Sequence, residues 1–202
     1  TPLKLGVQLL EKSWKENDPN FAKKFESFNK SFIEQIDSLA TIASEFSSFA
    51  KMPDTKLEKL QLLPLIDQAV AFFNSADSVE IMVLNRTNKD VTVLADKDQL
   101  MRSFNNLFKN AIEACEGKNK CAIKIKLIND EKSVYVEVED NGKGIDQAIS
   151  DKIFVPNFTT KSSGTGLGLA FVKQAIENAG GQIDYESDPK LGTTFFLTFP
   201  LV

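Results

Sequence analysis

Between Phe21 and Phe49 the apolar residues Phe21, Phe25, Phe28, Phe32, Ile36, Leu39, Ile42, Phe46 and Phe49 recur at spacings of three and four. That period suits an α-helix whose apolar side chains form a single stripe. The stripe predicts a helix of about 30 residues, opening after Asn17-Asp18-Pro19 and closing before Pro53. Leu3, Val7, Leu10 and Trp14 repeat the spacing ahead of that turn, so residues 1–52 read as an antiparallel helical hairpin. A two-helix hairpin cannot bury such a face alone. Two copies packed as a four-helix bundle would bury it, and so would packing of the long helix on the rest of its own chain. The stripe runs the whole helix with Phe at its first four positions, which favours a homodimer through residues 1–52.

Beyond a linker at residues 53–59 the period changes, and a second domain is predicted over residues 60–202. A short extended stretch at Leu60–Leu62 leads into a helix from Pro64 to Ala76. Pro64 suits a first turn, where a missing N–H costs no hydrogen bond. Strands are predicted at Val79–Asn85 and Val91–Leu94, then a helix from Asp98 to Glu116. Alternating strands Ala122–Ile128 and Ser133–Asp140 follow, joined by the turn Asn129-Asp130-Glu131-Lys132. A Gly-, Ser- and Thr-rich stretch over 141–168 precedes a helix from Leu167 to Asn178, which Gly180-Gly181 stops. Strands Gln182–Ser187 and Thr193–Phe199 then form a hairpin. Strands and helices mix without regular alternation, so the class is α+β: a two-layer sandwich with a mixed sheet packed on helices.

Composition removes whole classes of chemistry. None of the 202 residues is histidine, which excludes Ser-His-Asp and Cys-His catalysis, His-ligated zinc and imidazole pH switches within the chain. The two cysteines, Cys115 and Cys121, cannot alone close a four-ligand zinc site or build a disulfide framework, and they read as small side chains of a reduced chain. Residues 1–51 hold seven Lys and seven acidic residues, and the rest carry 17 basic and 21 acidic, for a net charge of −4. No broad basic face is left for nucleic acid. No apolar run approaches the roughly 18 residues of a membrane span.

Four short motifs then fall in one order within about ninety residues. The first, Asn106-Leu107-Phe108-Lys109-Asn110-Ala111-Ile112-Glu113-Ala114, lies on a predicted helix. Asn106, Asn110 and Glu113 sit at i, i+4 and i+7 and project from one face. An Asn carbonyl oxygen suits Mg²⁺, which takes one or two protein oxygens and fills its shell with water and phosphate. The second, Asp140-Asn141-Gly142-Lys143-Gly144-Ile145, ends a strand in a turn. Its carboxylate could accept a hydrogen bond from an adenine amino group, whereas guanine would face it with an oxygen at a cost of about 1–3 kcal/mol. The third, Phe154-Val155-Pro156-Asn157-Phe158-Thr159-Thr160-Lys161, suggests a hinged flap with a cation at its tip. The fourth, Gly164-Thr165-Gly166-Leu167-Gly168-Leu169, opens a helix whose backbone N–H groups suit phosphate. It fits neither the Walker A template nor the Rossmann one, which needs a third Gly where Leu169 stands.

Taken together, these motifs resemble the N, G1, F and G2 boxes of the ATP-binding domain of sensor histidine kinases, the fold shared with gyrase. Gly192-Thr193-Thr194 resembles that family's final glycine-threonine element. The resemblance covers roughly residues 57–202 and implies ATP and Mg²⁺ as cofactors. It implies that Asn110 ligates the magnesium and Asp140 reads the adenine. Gly142, Gly144 and Ile145 would lie against the nucleotide, with Phe158, Thr159, Thr160 and Lys161 on the flap. Gly164, Thr165, Gly166, Leu167, Gly168 and Leu169 would wrap the phosphates, joined by Thr193 and Thr194. Hydrolytic relatives carry a Glu one turn before the magnesium Asn; Asn106 stands there and has no useful basicity. Glu113 would orient an imidazole or pair with Lys109.

The first residues, Thr1-Pro2-Leu3-Lys4-Leu5, resemble the tail of the same family's phosphoacceptor motif. The expected acceptor histidine would sit seven residues before Thr1. Residues 45–53 resemble the second hairpin helix of nitrogen-regulation sensor kinases. The resemblance implies a protein histidine kinase, with transfer onward to an aspartate of a response-regulator receiver domain. It also implies a cytoplasmic location for this portion and attachment to the bacterial inner membrane only through upstream segments. The chain alone is expected to bind ATP without phosphorylating itself. A serine kinase or slow ATPase of the same fold, and a nucleotide-sensing dimer scaffold, are the rival expectations.

Overall fold

The computed structural model describes residues 2–50, 55–73, 79–87, 91–161 and 164–202, and the chain divides into two compact units, Thr1–Lys51 and Met52–Val202. The first holds helices α1 (Pro2–Lys15) and α2 (Phe21–Ala50). Asn17, at φ 51°, turns the chain between them, and the Asp18 carboxylate accepts from Asn20 N at 2.8 Å and from Lys24 Nζ at 2.6 Å. Gly6 brings the helices together: a β-carbon there would lie 2.5 Å from the Phe28 ring. Trp14 meets Phe21 edge-on at 5.3 Å, and Phe21 stacks on Phe25 at 5.8 Å. Leu5, Trp14, Phe25, Ile36, Leu39 and Ile42 are exposed on this unit, so much of the predicted stripe finds no cover within it. The side chains of Phe46 and Phe49 lie outside the described residues.

The second unit carries a five-stranded sheet in the order β2-β4-β5-β7-β6 and a separate two-stranded sheet pairing β1 with β3. Its elements are β1 (Glu58–Gln61), α3 (Leu62–Ala71), β2 (Val79–Asn85), β3 (Thr92–Ala95), α4 (Lys97–Ala114), β4 (Cys121–Asn129), β5 (Ser133–Asp140), α5 (Gly168–Asn178), β6 (Gln182–Asp188) and β7 (Gly192–Pro200). Strand β2 runs parallel to β4 and the other pairings are antiparallel, so the sheet is mixed, as expected. Strict alternation puts Ile123, Ile125, Leu127, Val134, Val136, Val138, Phe195, Leu197 and Phe199 on one face. They join Leu62, Ile66, Phe104, Leu107, Phe108, Val172 and Ile176 from the helices in one core. The other face is polar, and Lys124–Glu139 and Lys126–Glu137 pair across the strands at 3.2 and 3.0 Å. That is the two-layer α+β sandwich the pattern predicts.

Several boundaries move. Strand β1 opens at Glu58, inside the stretch read as linker, and Pro53 and Asp54 of that linker lie outside the described residues. Helix α3 starts at Leu62 rather than Pro64, because Leu62 and Ile66 are both fully buried and pull the chain into the core two residues early. It ends at Ala71, with Phe72 as its C-terminal cap, short of the predicted end at Ala76, which itself lies outside the described residues. Helix α4 starts at Lys97, since Asp96 is its cap and accepts from Asp98 N and Gln99 N at 3.0 Å each. A 3-10 helix at Gln147–Lys152, capped by Asp146, was not predicted.

The cysteines differ from expectation. Cys115, at the end of α4, and Cys121, opening β4, form a disulfide with Cα atoms 5.4 Å apart. The turn over residues 116–120 returns the chain on itself, which brings together two side chains that composition alone reads as unrelated.

Candidate functional site

Helix α4 supplies the first part of the site. Its Leu107 and Ala111 are buried in the core, which turns Asn106, Asn110 and Glu113 outward together. Lys161 reaches them from the flap: its ammonium donates to Asn110 Oδ1 at 2.8 Å and pairs with the Glu113 carboxylate. Glu113 thus pairs with Lys161 rather than with Lys109 one turn back. Asn106 Nδ2 lies 3.5 Å from the Gly168 carbonyl, so this residue faces the start of α5.

Asp140 closes β5 and is buried. Its Oδ1 accepts from Gly142 N at 2.7 Å and Thr193 N at 3.2 Å, while its other oxygen makes no protein hydrogen bond among the described residues. Burial pushes this carboxyl above the ordinary Asp value, opposed by the bonds from Gly142 and Thr193. Close packing behind it demands glycine. A β-carbon on Gly192, at φ +115°, would sit 2.0 Å from the Asp140 carbonyl, and one on Gly142 would sit 2.5 Å from Ala114 Cβ.

Side chains outside the predicted set hold this turn. Lys118 Nζ donates to the carbonyls of Asn141 and Gly142, the latter at 3.1 Å. Asn141 Oδ1 accepts from Ala122 N at 2.9 Å, and its Nδ2 donates to the Lys120 carbonyl at 3.2 Å. Ser187 Oγ accepts from Ile145 N at 2.8 Å and lies 3.0 Å from Thr193 Oγ1. Nothing in the local sequence marks Lys118 or Ser187, since each acts on a turn 24 or 42 residues away.

The flap is tied by its own loop. Thr159 Oγ1 accepts from Lys161 N at 3.1 Å, and Leu167 N donates to Thr165 Oγ1 at 3.3 Å. Asn157 N donates to the Gly166 carbonyl at 3.1 Å. Phe158 carries the backbone that packs against Gly166, Thr160 is exposed and Gly164 lies close to Thr159. Leu167 is buried and Leu169 packs on the core, so α5 is anchored while its N-terminus carries neither a side-chain cap nor an acidic first turn. Such a terminus suits an anion. Thr194 is not brought to the others: it pairs with Glu139 and Glu186 on the polar face of the sheet.

The donor set fits Mg²⁺ held chiefly by nucleotide and water. No group of three or more His, Cys, Asp or Glu could hold a metal among the described residues. Asn110 Oδ1 and the Glu113 carboxylate nevertheless converge on one cation, the Lys161 ammonium, and both are oxygen donors suited to a hard ion.

Comparison with known proteins places the fold in a family. Residues 95–202 match the family described as histidine kinase-, DNA gyrase B-, and HSP90-like ATPase. Sporulation kinase A of Bacillus subtilis (strain 168) is 32% identical over 203 residues, 99% of this chain and 32% of that protein. A putative NtrY-like sensor histidine kinase of Rickettsia bellii (strain RML369-C) is 31% identical over 202 residues, 100% of this chain and 33% of the relative. The chain thus spans about a third of the length of these relatives. The solved catalytic domain of histidine kinase ThkA has a TM-score of 0.63 at 32% identity, covering 72% of this chain and 95% of that one. ThkA in complex with response regulator protein TrrA has a TM-score of 0.71 at 26% identity, covering 100% of this chain and 59% of that one. Among the described residues no helix is long and apolar enough to cross a membrane.

Proposed function

Because the chain belongs to the histidine kinase-, DNA gyrase B-, and HSP90-like ATPase family, we propose that it is the catalytic portion of a two-component sensor histidine kinase that binds Mg²⁺-ATP. The observation that carries this is the pairing of two recognition ends in one unit. Asp140 holds one carboxylate oxygen without a hydrogen-bond partner among the described residues behind the Gly142 turn, and Asn110 with Glu113 offers oxygens to a cation. Adenine would donate its amino group to Asp140. The phosphates would lie toward Lys161 and the N-terminus of α5, with Asn110 as the protein ligand of Mg²⁺. That ion supplies charge neutralisation on the transferring phosphoryl group.

Within the chain, catalysis would be positioning and electrostatics. Asn106, in the place of a hydrolytic base, cannot take a proton from water, so bound ATP awaits a better nucleophile. A phosphohistidine needs an imidazole, and the 202 residues contain none. The acceptor must therefore come from outside these residues, and a receiver-domain aspartate would take the phosphoryl group next. The exposed apolar side chains of α1 and α2 favour a homodimer through this hairpin.

Calorimetry and radiolabelling test this reading. The chain should bind Mg²⁺-ATP, lose that binding in Asn110→Ala, and take up no label from γ-labelled ATP. Label on the chain alone, or steady ATP turnover abolished by Asn110→Ala, would point instead to a serine kinase or slow ATPase. Absence of Mg²⁺-ATP binding would leave the scaffold.

A further inference from the structure

We infer that the Lys161 ammonium competes with a divalent ion for Asn110 and Glu113, so that metal entry is an exchange of one cation for another. The inference rests on the Mg²⁺-ATP reading above and deepens it by assigning Glu113 to the metal side of the site.

Three features carry it. Asn110 and Glu113 lie three residues apart on one face of α4, and a single ammonium reaches both. Nothing in the sequence links Lys161 to this face, since it stands 51 residues from Asn110 and 48 from Glu113. Lys161 also sits on the loop whose other end carries Gly164 and Gly166, the segment expected to wrap phosphate. A lysine released from Glu113 would thus already lie beside the phosphates. The exchange leaves the local charge balanced: the carboxylate keeps a cationic partner before and after, and the ammonium moves to an anion.

The strength of the latch suits a device that must open. The Lys161 and Glu113 side chains are 43% and 38% exposed, and ion pairs this open to water are weak. Nucleotide with a divalent ion can displace such a contact, whereas a buried pair would hold the flap shut. The latch keeps the two oxygen donors converged on one ammonium, and it lowers the affinity of that pair for free metal.

The test uses the full 202-residue chain and Mn²⁺ without nucleotide, read as paramagnetic broadening of the Asn110 side-chain amide signal. Lys161→Met should shift the midpoint of broadening to about fivefold lower Mn²⁺, the equivalent of about 1 kcal/mol. The shift should collapse when Glu113→Gln is added. Lys109→Met, which removes the same charge one turn from Glu113 without the contact, should shift it by less than half as much. An unchanged or raised midpoint in Lys161→Met, equal shifts in the two lysine variants, or no broadening at all would overturn the inference. Calorimetry of the unaltered chain with Mg²⁺-ATP separates the two levels. Binding there with no Lys161 effect removes the latch and leaves the ATP reading intact. Absence of binding removes the ATP reading itself.

Discussion

The two ends of the site are built in opposite ways. Around Asp140 the chain is buried and over-determined: backbone donors, glycine contacts closer than a β-carbon allows, and the long-range ties of Lys118, Asn141 and Ser187 all set one turn. Around Asn110 and Lys161 the contacts are side-chain, charged and open to water. The contrast teaches a division of labour. A base can be read by a rigid pocket, because its edge is fixed. Phosphates and their cation arrive with charge that must displace something, and a weak surface pair is the kind of contact they can displace.

Substitutions can break this comparison from either end. Gly192→Ala should have the largest effect, since a β-carbon would lie 2.0 Å from the Asp140 carbonyl in a conformation that L-residues avoid. A loss of at least about 2 kcal/mol is expected, read as a lowered midpoint of thermal unfolding, together with lost nucleotide binding. Asp140→Asn should separate folding from function. An amide oxygen can keep both backbone donors while the buried charge disappears, so Tm should rise by about 2–4 °C per kcal/mol gained. Affinity for ATP should fall roughly 10- to 100-fold as the acceptor for the adenine amino group weakens. A lowered Tm would show that the charge supports the turn.

The same carboxyl sets a pH dependence. Its folded-state value is raised by burial, so the ionised form costs stability, and that cost disappears as pH falls through the raised value. ATP affinity should move the other way, weakening on acidification from a pH above that of an ordinary Asp, as a titration series by calorimetry would show. At the open end, added salt should erode the Lys161–Glu113 contact first. Glu113→Gln should change Tm by less than about 1 kcal/mol in equivalent stability, the smallest effect of the set.

Periodicity made most of the fold legible. The 3-4 spacing located α2, and the alternation in β4 and β5 located the buried face of the sheet to within a residue or two. Misses fell where burial or a cap outweighed local preference, as at Leu62 and Asp96, and where a short 3-10 helix carried no period at all. The four motifs were legible as motifs, and Asn110, Glu113, Asp140 and Lys161 were all named from them. Their partners were not. Glu113 paired across 48 residues instead of along its own helix, and Thr194 fell on the polar face because Thr193 occupies the buried one.

The residue order by itself determined which groups this chain possesses: oxygen donors at helical spacing, an acid ending a strand, glycines before a helix, and no imidazole anywhere. Those are local properties, set by period and side-chain chemistry. Tertiary structure decided which of them meet. It brought Lys161 to Asn110 and Glu113, tied Ser187 to Ile145 and Thr193, and joined Cys115 to Cys121 across a turn. Such contacts follow from sheet register and from the core against which each element packs, and neither is written in any short stretch of sequence.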